Sequence, residues 1–400
     1  MKQDEGLADL ICDLVRVESV NPDLVASGSG EAAIAEFVAK WLRSAGLEVD
    51  VIEPVSGRPS VVGVLRGSGG GSSLMLNAHM DTVGAGGMTD AFTPRVTDGR
   101  VYGRGAYDMK ASLAAIMITA REAAKLRLKG DLIITAVADE EVASLGTSAV
   151  LEKYRADAAI VTEPTELRLC LAHKGFVWLE VETTGVAAHG SRADIGVDAI
   201  ANMGQVLTGV LALDERLRSG PRHPLLGTGS IHASLIEGGQ EMSTYPARCI
   251  AKLERRTIPG ETEVERELFL IHGEVPAEGR GWGRPVVGQE RSEESTSPPH
   301  LLGRVREGTS VKARVLLERP PSELSPDHPV SKAVAQAAGQ PEVIGVAYWM
   351  DMALTNGAGI PTVAYGPIGE GEHADVEWVD LASVEKCIDV YLKAAQLLCS

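Results

Sequence analysis

Short apolar runs rich in β-branched residues recur at residues 49–52, 61–65, 74–76, 133–137 and 158–161, with helical stretches between some of them, notably 112–126. A chain that alternates in this way buries its strands in a sheet and covers the faces with helices, so an α/β fold is expected. Two amphipathic helices open it: Leu7, Leu10, Ile11, Leu14 and Val15 fall at helical spacing. Ile34, Phe37, Val38, Trp41 and Leu42 repeat the pattern before a stop at Gly46. From about Phe176 the texture changes. Val177, Leu179 and Val181 alternate with polar residues, Ile200, Met203, Leu207, Val210 and Leu211 mark a helix, and alternating segments follow near 230–235 and 249–253. That order reads as a small α+β unit. Residues 272–309 are dense in Gly, Arg, Pro, Glu and Ser, and a long surface excursion is expected there. From Ser325 the first texture resumes, with a helix at 330–338 and a strand at 361–365.

Charge narrows the partners. The 400 residues carry 55 Asp and Glu against 38 Lys and Arg, a formal charge of −17, so no basic footprint exists for nucleic acid or anionic lipid. The longest apolar stretches fall far short of the roughly 20 residues that span a bilayer. The first residues lack the basic-then-apolar layout of a signal peptide, and a cytoplasmic protein is expected. Cys12, Cys170, Cys249, Cys387 and Cys399 are scattered and form no CxxC pair, which reads as reduced, mostly buried thiols.

Acid-bearing motifs stand just past the predicted strands: A-H-M-D with His79 and Asp81, D-E-E with Glu140 and Glu141, and T-E-P with Glu163. Asp108, in Y-D-M-K, opens a helix. The carboxyl ends of strands form the ligand crevice of open α/β sheets. His79 and Asp81, two apart in extended chain, point to one face. Asp108, Glu140, Glu141 and Glu163 gathered in one crevice would repel and raise one another's pKa unless a cation held them. Imidazole and carboxylate without thiolate suit zinc, or alternatively cobalt or manganese, with an open coordination position. His373, in G-E-H-A-D, is the natural further imidazole for a two-metal site. Singly, each residue has a blander role: Asp108 as a helix N-cap, the glutamates as solvated loop acids, His79 as a core histidine. Their joint occurrence at successive strand ends outweighs those roles.

The motifs H79-M-D81, G103-R-G-A-Y-D108-M-K110, D139-E-E141, E163-P-T165, A188-H-G-S191 and G371-E-H373 together resemble the di-zinc amidohydrolase and peptidase family. That family includes acetylornithine deacetylase, succinyl-diaminopimelate desuccinylase, aminoacylase and the glutamate carboxypeptidase. The resemblance implies a catalytic metal-binding domain with a central, mostly parallel sheet, formed by residues 1–175 and 321–400. A smaller α+β lid and dimerisation domain, 176–320, interrupts it, and the molecule is a homodimer. It also implies two divalent metal ions, zinc first, bridged by Asp108; His79 and Glu163 complete one metal, and Glu141 and His373 the other. Asp81 is then the carboxylate that orients the His79 ring. Glu140 is the general base, which takes a proton from the metal-bound water and passes it to the departing amine. By the same resemblance His189 is the lid histidine that reaches the partner subunit's site, and Arg256 holds the substrate carboxylate. Arg255 beside it has the same chemistry.

Departures from the family pattern are Ala111, Ala193, Asp198 and, most pointedly, Ser243 in S-T-Y-P, where a substrate-contacting asparagine is usual. The leading expectation is an acetylornithine deacetylase-like deacylase that hydrolyses the amide of an N-acyl-amino acid. A dipeptidase, carboxypeptidase or desuccinylase of the same family is the alternative. A reading of another class, a non-catalytic binding module retaining the fold, has no chemical use for Glu140.

Overall fold

The computed structural model describes residues 6–261 and 310–400. The excursion expected at 272–309 lies outside the described residues. Contacts divide the chain into two compact units, Met1–Ala172 with Glu323–Gly345 and Met350–Ser400, and His173–Ser322 with Val346–Trp349.

In chain order the first segment carries α1 (Leu7–Arg16), α2 (Ala32–Ser44), β1 (Glu48–Ile52), β2 (Ser60–Leu65), β3 (Leu74–His79), β4 (Arg95–Thr97) and β5 (Arg100–Tyr102). It continues with α3 (Ala111–Ala123), β6 (Leu132–Val137), α4 (Leu145–Lys153), β7 (Ala158–Val161) and β8 (Leu169–His173). Next come β9 (Gly175–Thr184), α5 (Ala199–Ser219), β10 (Ser230–Gly238), β11 (Arg248–Thr257) and β12 (Val311–Arg319). The last segment holds β13 (Ser322–Glu323), α6 (Pro329–Ala338), β14 (Val343–Val346), α7 (Met352–Gly357), β15 (Thr362–Ala364), β16 (Gly369–Glu370), β17 (Trp378–Asp380) and α8 (Leu381–Leu398).

The main sheet runs β1-β2-β6-β3-β7-β15-β8-β13, with β14 also on β8. Its centre is parallel: β3 pairs β6 and β7, and β15 pairs β7. These strands are buried on both faces, which is why they read as continuous apolar runs. On one face Val62, Val64, Met75, Ile133 and Val137 cluster with Val150 and Leu151 of α4. On the other, α3 packs against β3, α1 and α8, and its Leu113, Ala114, Ala115, Ile116 and Met117 are fully buried. Each such Leu or Ile contributes about 1.5–3 kcal/mol of hydrophobic stabilisation. The helix is apolar all round because it has no solvent face. It ends at Ala123, three residues before the point expected from the sequence. A small antiparallel sheet, β16-β17-β5-β4, which the sequence pattern did not reveal, holds the chain either side of the site.

In the second unit α5 covers one face of the antiparallel sheet β10-β11-β9-β12. Met203, Val206, Val210, Leu213 and Leu217 meet Val177, Leu179, Val181, Ala251 and Leu253. Ile200 and Leu211, which help to mark the helix in the sequence, lie off this stripe, 44% and 68% exposed. Asp198 caps α5 by accepting the Ala201 N–H. The other face of the sheet carries cross-strand ion pairs, Arg314 with Glu180 and Arg248 with Glu182.

Candidate metal centre

Three adjacent parallel strands deliver acidic or imidazole groups at their carboxyl ends. His79 is the last residue of β3; β6 ends at Val137 and turns through Asp139, Glu140 and Glu141; β7 ends at Val161 and runs into Glu163. Asp108 lies in the turn Ala106–Lys110 ahead of α3 with a non-helical backbone, φ −112° and ψ 94°, and the peptide bond to Met109 is cis. It does not cap the helix: α3 begins after Lys110 with no side-chain cap, which removes the blander role. His373 follows β16 in a loop, at φ 60°.

The Asp108 carboxylate stands between two imidazoles. Its Oδ1 is 3.0 Å from His79 Nε2, and its Oδ2 is 3.4 Å from His373 Nε2. Glu163 Oε1 lies 3.7 Å from His79 Nε2, and Glu141 Oε2 lies 3.0 Å from His373 Nε2. One donor atom from each of His79, Asp108 and Glu141 lies within 4.8 Å of the others, and His79, Glu140 and Glu163 form a second such trio. The Asp81 carboxylate sits 3.6 Å from His79 Nδ1, farther than its own main-chain oxygen at 3.0 Å. It accepts the Glu140 and Glu141 N–H groups instead, at 3.1 and 3.2 Å.

Burial raises the Glu140 carboxyl well above its usual range, with the charges of Glu163, Asp351 and Glu141 adding to the effect. Burial likewise raises Glu141, and pushes Glu163 up to about 8 against the opposing charge of His79. Hydrogen bonds from His373 and His79 overcome burial at Asp108 and hold it below the carboxylate range. The same bonds raise His79 against its burial, and those to Asp108 and Glu141 lift His373 to about 10. Glu141 Oε1 is buried without a hydrogen-bond partner. Two imidazoles and a crowd of carboxylates sharing protons are the donor chemistry of hard-to-borderline divalent ions, which compete for the same lone pairs. The residues present fit such ions.

Residues 75–397 match the family described as peptidase family M20/M25/M40. The chain belongs to that family. It is 32% identical over 289 residues to an acetylornithine deacetylase of Erwinia tasmaniensis, covering 69% of this chain and 74% of that protein. Among solved structures it is similar to aminopeptidase PepT from Bacillus cereus, at 18% identity and a TM-score of 0.74 over 98% of each chain. It is also similar to the Bacillus subtilis YXEP protein, a dinuclear metal-binding peptidase from the M20 family (15% identity, TM-score 0.68, 98% and 97% of the chains). As a member of the M20/M25/M40 family the chain is a hydrolase acting on amide bonds.

The other two predicted residues belong to the second unit. His189 is exposed, with Nδ1 2.8 Å from Ser191 Oγ and a bridge to Thr244. Strand alternation separates the two arginines of β11. Arg255 faces the core, fully buried, and is paired with Glu261 at 2.8 Å. Arg256 lies on the open face, half-buried, 2.8 Å from Glu254 and over the Phe176 ring at 5.3 Å.

Several residues around the centre went unnoticed in the sequence. Asp351, buried, accepts the Thr147 hydroxyl, and burial pushes it up to about 6. Glu377 accepts the N–H groups of Gly105, Tyr107 and Asp108 and pairs with Arg104 at 2.8 Å. Asn21, Glu31 and Arg58 surround Asp139. A polar residue flanked by apolar ones, as in Trp349-Met350-Asp351-Met352, was the available signal.

Proposed function

We propose that this chain is a two-metal deacylase that hydrolyses the amide bond of an N-acyl-amino acid. The observation that carries the reading is the Asp108 carboxylate between His79 and His373, with Glu163 on the first side and Glu141 on the second. In this reading His79 and Glu163 would hold one divalent ion and Glu141 and His373 a second, with Asp108 as the carboxylate available to both. Zinc suits the donors best, and cobalt and manganese share the chemistry. When bound, the ions supply Lewis acidity toward the amide carbonyl and acidify a water.

Glu140, buried beside these donors and basic for a carboxylate, takes the water's proton and returns it to the departing amine nitrogen. Asp81 orients the His79 ring through its main-chain oxygen and the two glutamates through its carboxylate. His189 of one subunit donates, in its partner's site, to the oxygen that gains charge as the carbonyl is attacked, and Arg256, rather than Arg255, which is held by Glu261, binds the substrate carboxylate. The first unit is the catalytic domain and the second a lid that dimerises. Exposed Leu235 and Ile236 on the edge strand β10, with Ile200 and Leu211 on α5, give a homodimer an apolar patch to cover. Five buried cysteines that form no disulfide support a reducing, cytoplasmic setting.

The similarity to acetylornithine deacetylase favours the acylated amino acid as substrate. The second reading, a peptidase, rests on the likeness to aminopeptidase PepT, and on Ser243 standing where the family's substrate-contacting asparagine is usual. Steady-state assays on N-acetyl-amino acids, N-succinyl-amino acids and dipeptides, each with zinc, cobalt or manganese, separate the two. Inertness toward every acylated amino acid refutes the deacylase; inertness toward all amides, with no metal bound, favours the binding module.

A further inference from the structure

Behind the proposed base and ligand lies a buried polar chain that no role above uses. The Asn21 side-chain amide is fully engaged. Its NH2 donates to Asp81 Oδ2 at 2.8 Å and to Asp139 Oδ1 at 3.0 Å, and its oxygen accepts the Asp23 N–H at 3.0 Å. Arg58 grips Glu31 with a fork, Nε to Oε2 at 2.6 Å and Nη2 to Oε1 at 2.8 Å. It donates to Asp139 Oδ1 at 2.8 Å and to Asp23 Oδ2 at 2.7 Å. Glu31 Oε1 in turn accepts the Asp139 N–H at 3.2 Å. Every N–H of the Asp139-Glu140-Glu141 turn therefore ends on a carboxylate, Asp139 on Glu31 and the two glutamates on Asp81.

The turn needs holding. Asp139 has φ 68°, a conformation that a residue other than glycine keeps only where its surroundings over-determine it. Asn21, Glu31, Asp81 and Asp139 are fully buried and Arg58 nearly so. Two carboxylates at this depth, Glu31 and Asp139, pair with one guanidinium, and Asp81 lies beyond its reach. A neutral amide that donates twice is the side chain that can link Asp81 to Asp139 without adding a charge; an aspartate there would face both.

We propose that Asn21 and Arg58 are positioning residues that lock the Asp139–Glu141 turn and thereby set where the Glu140 and Glu141 carboxylates stand. The inference rests on the reading of Glu140 as base and Glu141 as ligand. Neither Asn21 nor Arg58 touches the donor cluster; Asn21 acts through Asp81 and Asp139, and Arg58 through Asp139 and Glu31. Their loss misplaces the base while leaving substrate affinity alone, because the substrate contacts lie elsewhere.

The test uses the full chain as Asn21→Ser and Arg58→Lys. Arg58→Lys keeps the buried charge but not the fork, and serves if Asn21→Ser does not fold. Hydrogen–deuterium exchange is followed over peptides spanning 138–143, and kcat and KM on an amide that the wild type hydrolyses. Expected are exchange in that turn faster by about tenfold with β3 and β6 unchanged, and kcat lower by roughly a hundredfold at a KM within about threefold. Unchanged exchange in the turn overturns the proposal. So does acceleration spread evenly over the unit, the mark of a merely structural role, or local acceleration with kcat intact. A wild type that cleaves no amide defeats the proposed function instead, and the exchange measurement still decides whether Asn21 and Arg58 hold the turn.

Discussion

Replacing Glu377 by Gln should loosen the loop that presents Asp108, at a cost that can be worked out from its contacts. The Glu377 carboxylate is 2% exposed; Oε2 takes Arg104 Nη1 at 2.8 Å and the Gly105 N–H at 2.9 Å, and Oε1 takes the Tyr107 and Asp108 N–H groups at 2.8 and 3.1 Å. Glutamine keeps one acceptor oxygen, so two N–H groups can stay bonded, but its NH2 then faces two donors. Arg104, 1% exposed, is left as a buried cation without its counter-charge, a change that costs about 3–5 kcal/mol. For a unit of this size roughly 2–4 °C is lost per kcal/mol, so the melting transition should fall by about 6–20 °C.

The pair of variants that removes both charges, Arg104→Met with Glu377→Leu, sharpens the arithmetic. If the ion pair were all, an apolar replacement would be close to neutral. Here three main-chain N–H groups lose their acceptor, each at about 1–3 kcal/mol when buried, so the double variant should remain destabilised. Calorimetry of both variants, with a zinc titration of the folded protein, supplies the readout, and weaker zinc binding is expected in each because Asp108 loses its anchor. A Glu377→Gln protein within about 1 kcal/mol of wild type, binding zinc unchanged, would refute the view that Glu377 holds this loop.

Stability of the chelator-treated protein should fall as pH rises. Burial lifts Glu163 to about 8, so the folded state holds a proton there that the unfolded chain has released above its ordinary carboxyl pKa; stability is full below that range and declines toward pH 8. His373, lifted to about 10, contributes in the same direction between the ordinary imidazole pKa and pH 10. Melting curves from pH 5 to 9 should slope downward without metal and flatten with it; an upward slope contradicts the assignment. Glu140→Gln should lower kcat by about 10²–10⁴ with bound metal unchanged, and metal analysis beside kinetics checks both halves. Gly105→Ala should destabilise by about 1–3 kcal/mol, since φ is 75° and the added Cβ would stand 2.6 Å from Thr82 Cγ2; equal denaturation midpoints would count against it.

The donor residues were legible because each sits within a few positions of a strand end, so that local pattern and chemistry point the same way. His79, Glu140, Glu141 and Glu163 are of this kind, and Asp108 is tied to a helix start. Asn21, Glu31, Arg58, Asp351 and Glu377 were not, because their partners lie far along the chain: Asn21 meets Asp139 118 positions away, and Glu377 meets Asp108 269 positions away. Nothing in a single sequence distinguishes a buried carboxylate from one in solvent. Which of Arg255 and Arg256 lies on the open face of β11 needed the strand's phase. The composition of residues 272–309 suggested a surface excursion but no role.

The split of the first unit also has a consequence for how the molecule comes into being. Its parallel sheet stays open at β7 until β15, more than 200 positions later, pairs with it, and His373 and Glu377 arrive only after that. During synthesis the apolar β7 edge must wait, exposed, while the whole second unit is made. Such an edge is a template for pairing with other chains. A ribosome-stalled or prematurely ended product would lack His373, one of the five candidate donors, and present a sticky strand, so demand for chaperones should peak at that stage, before a single amide can be cleaved.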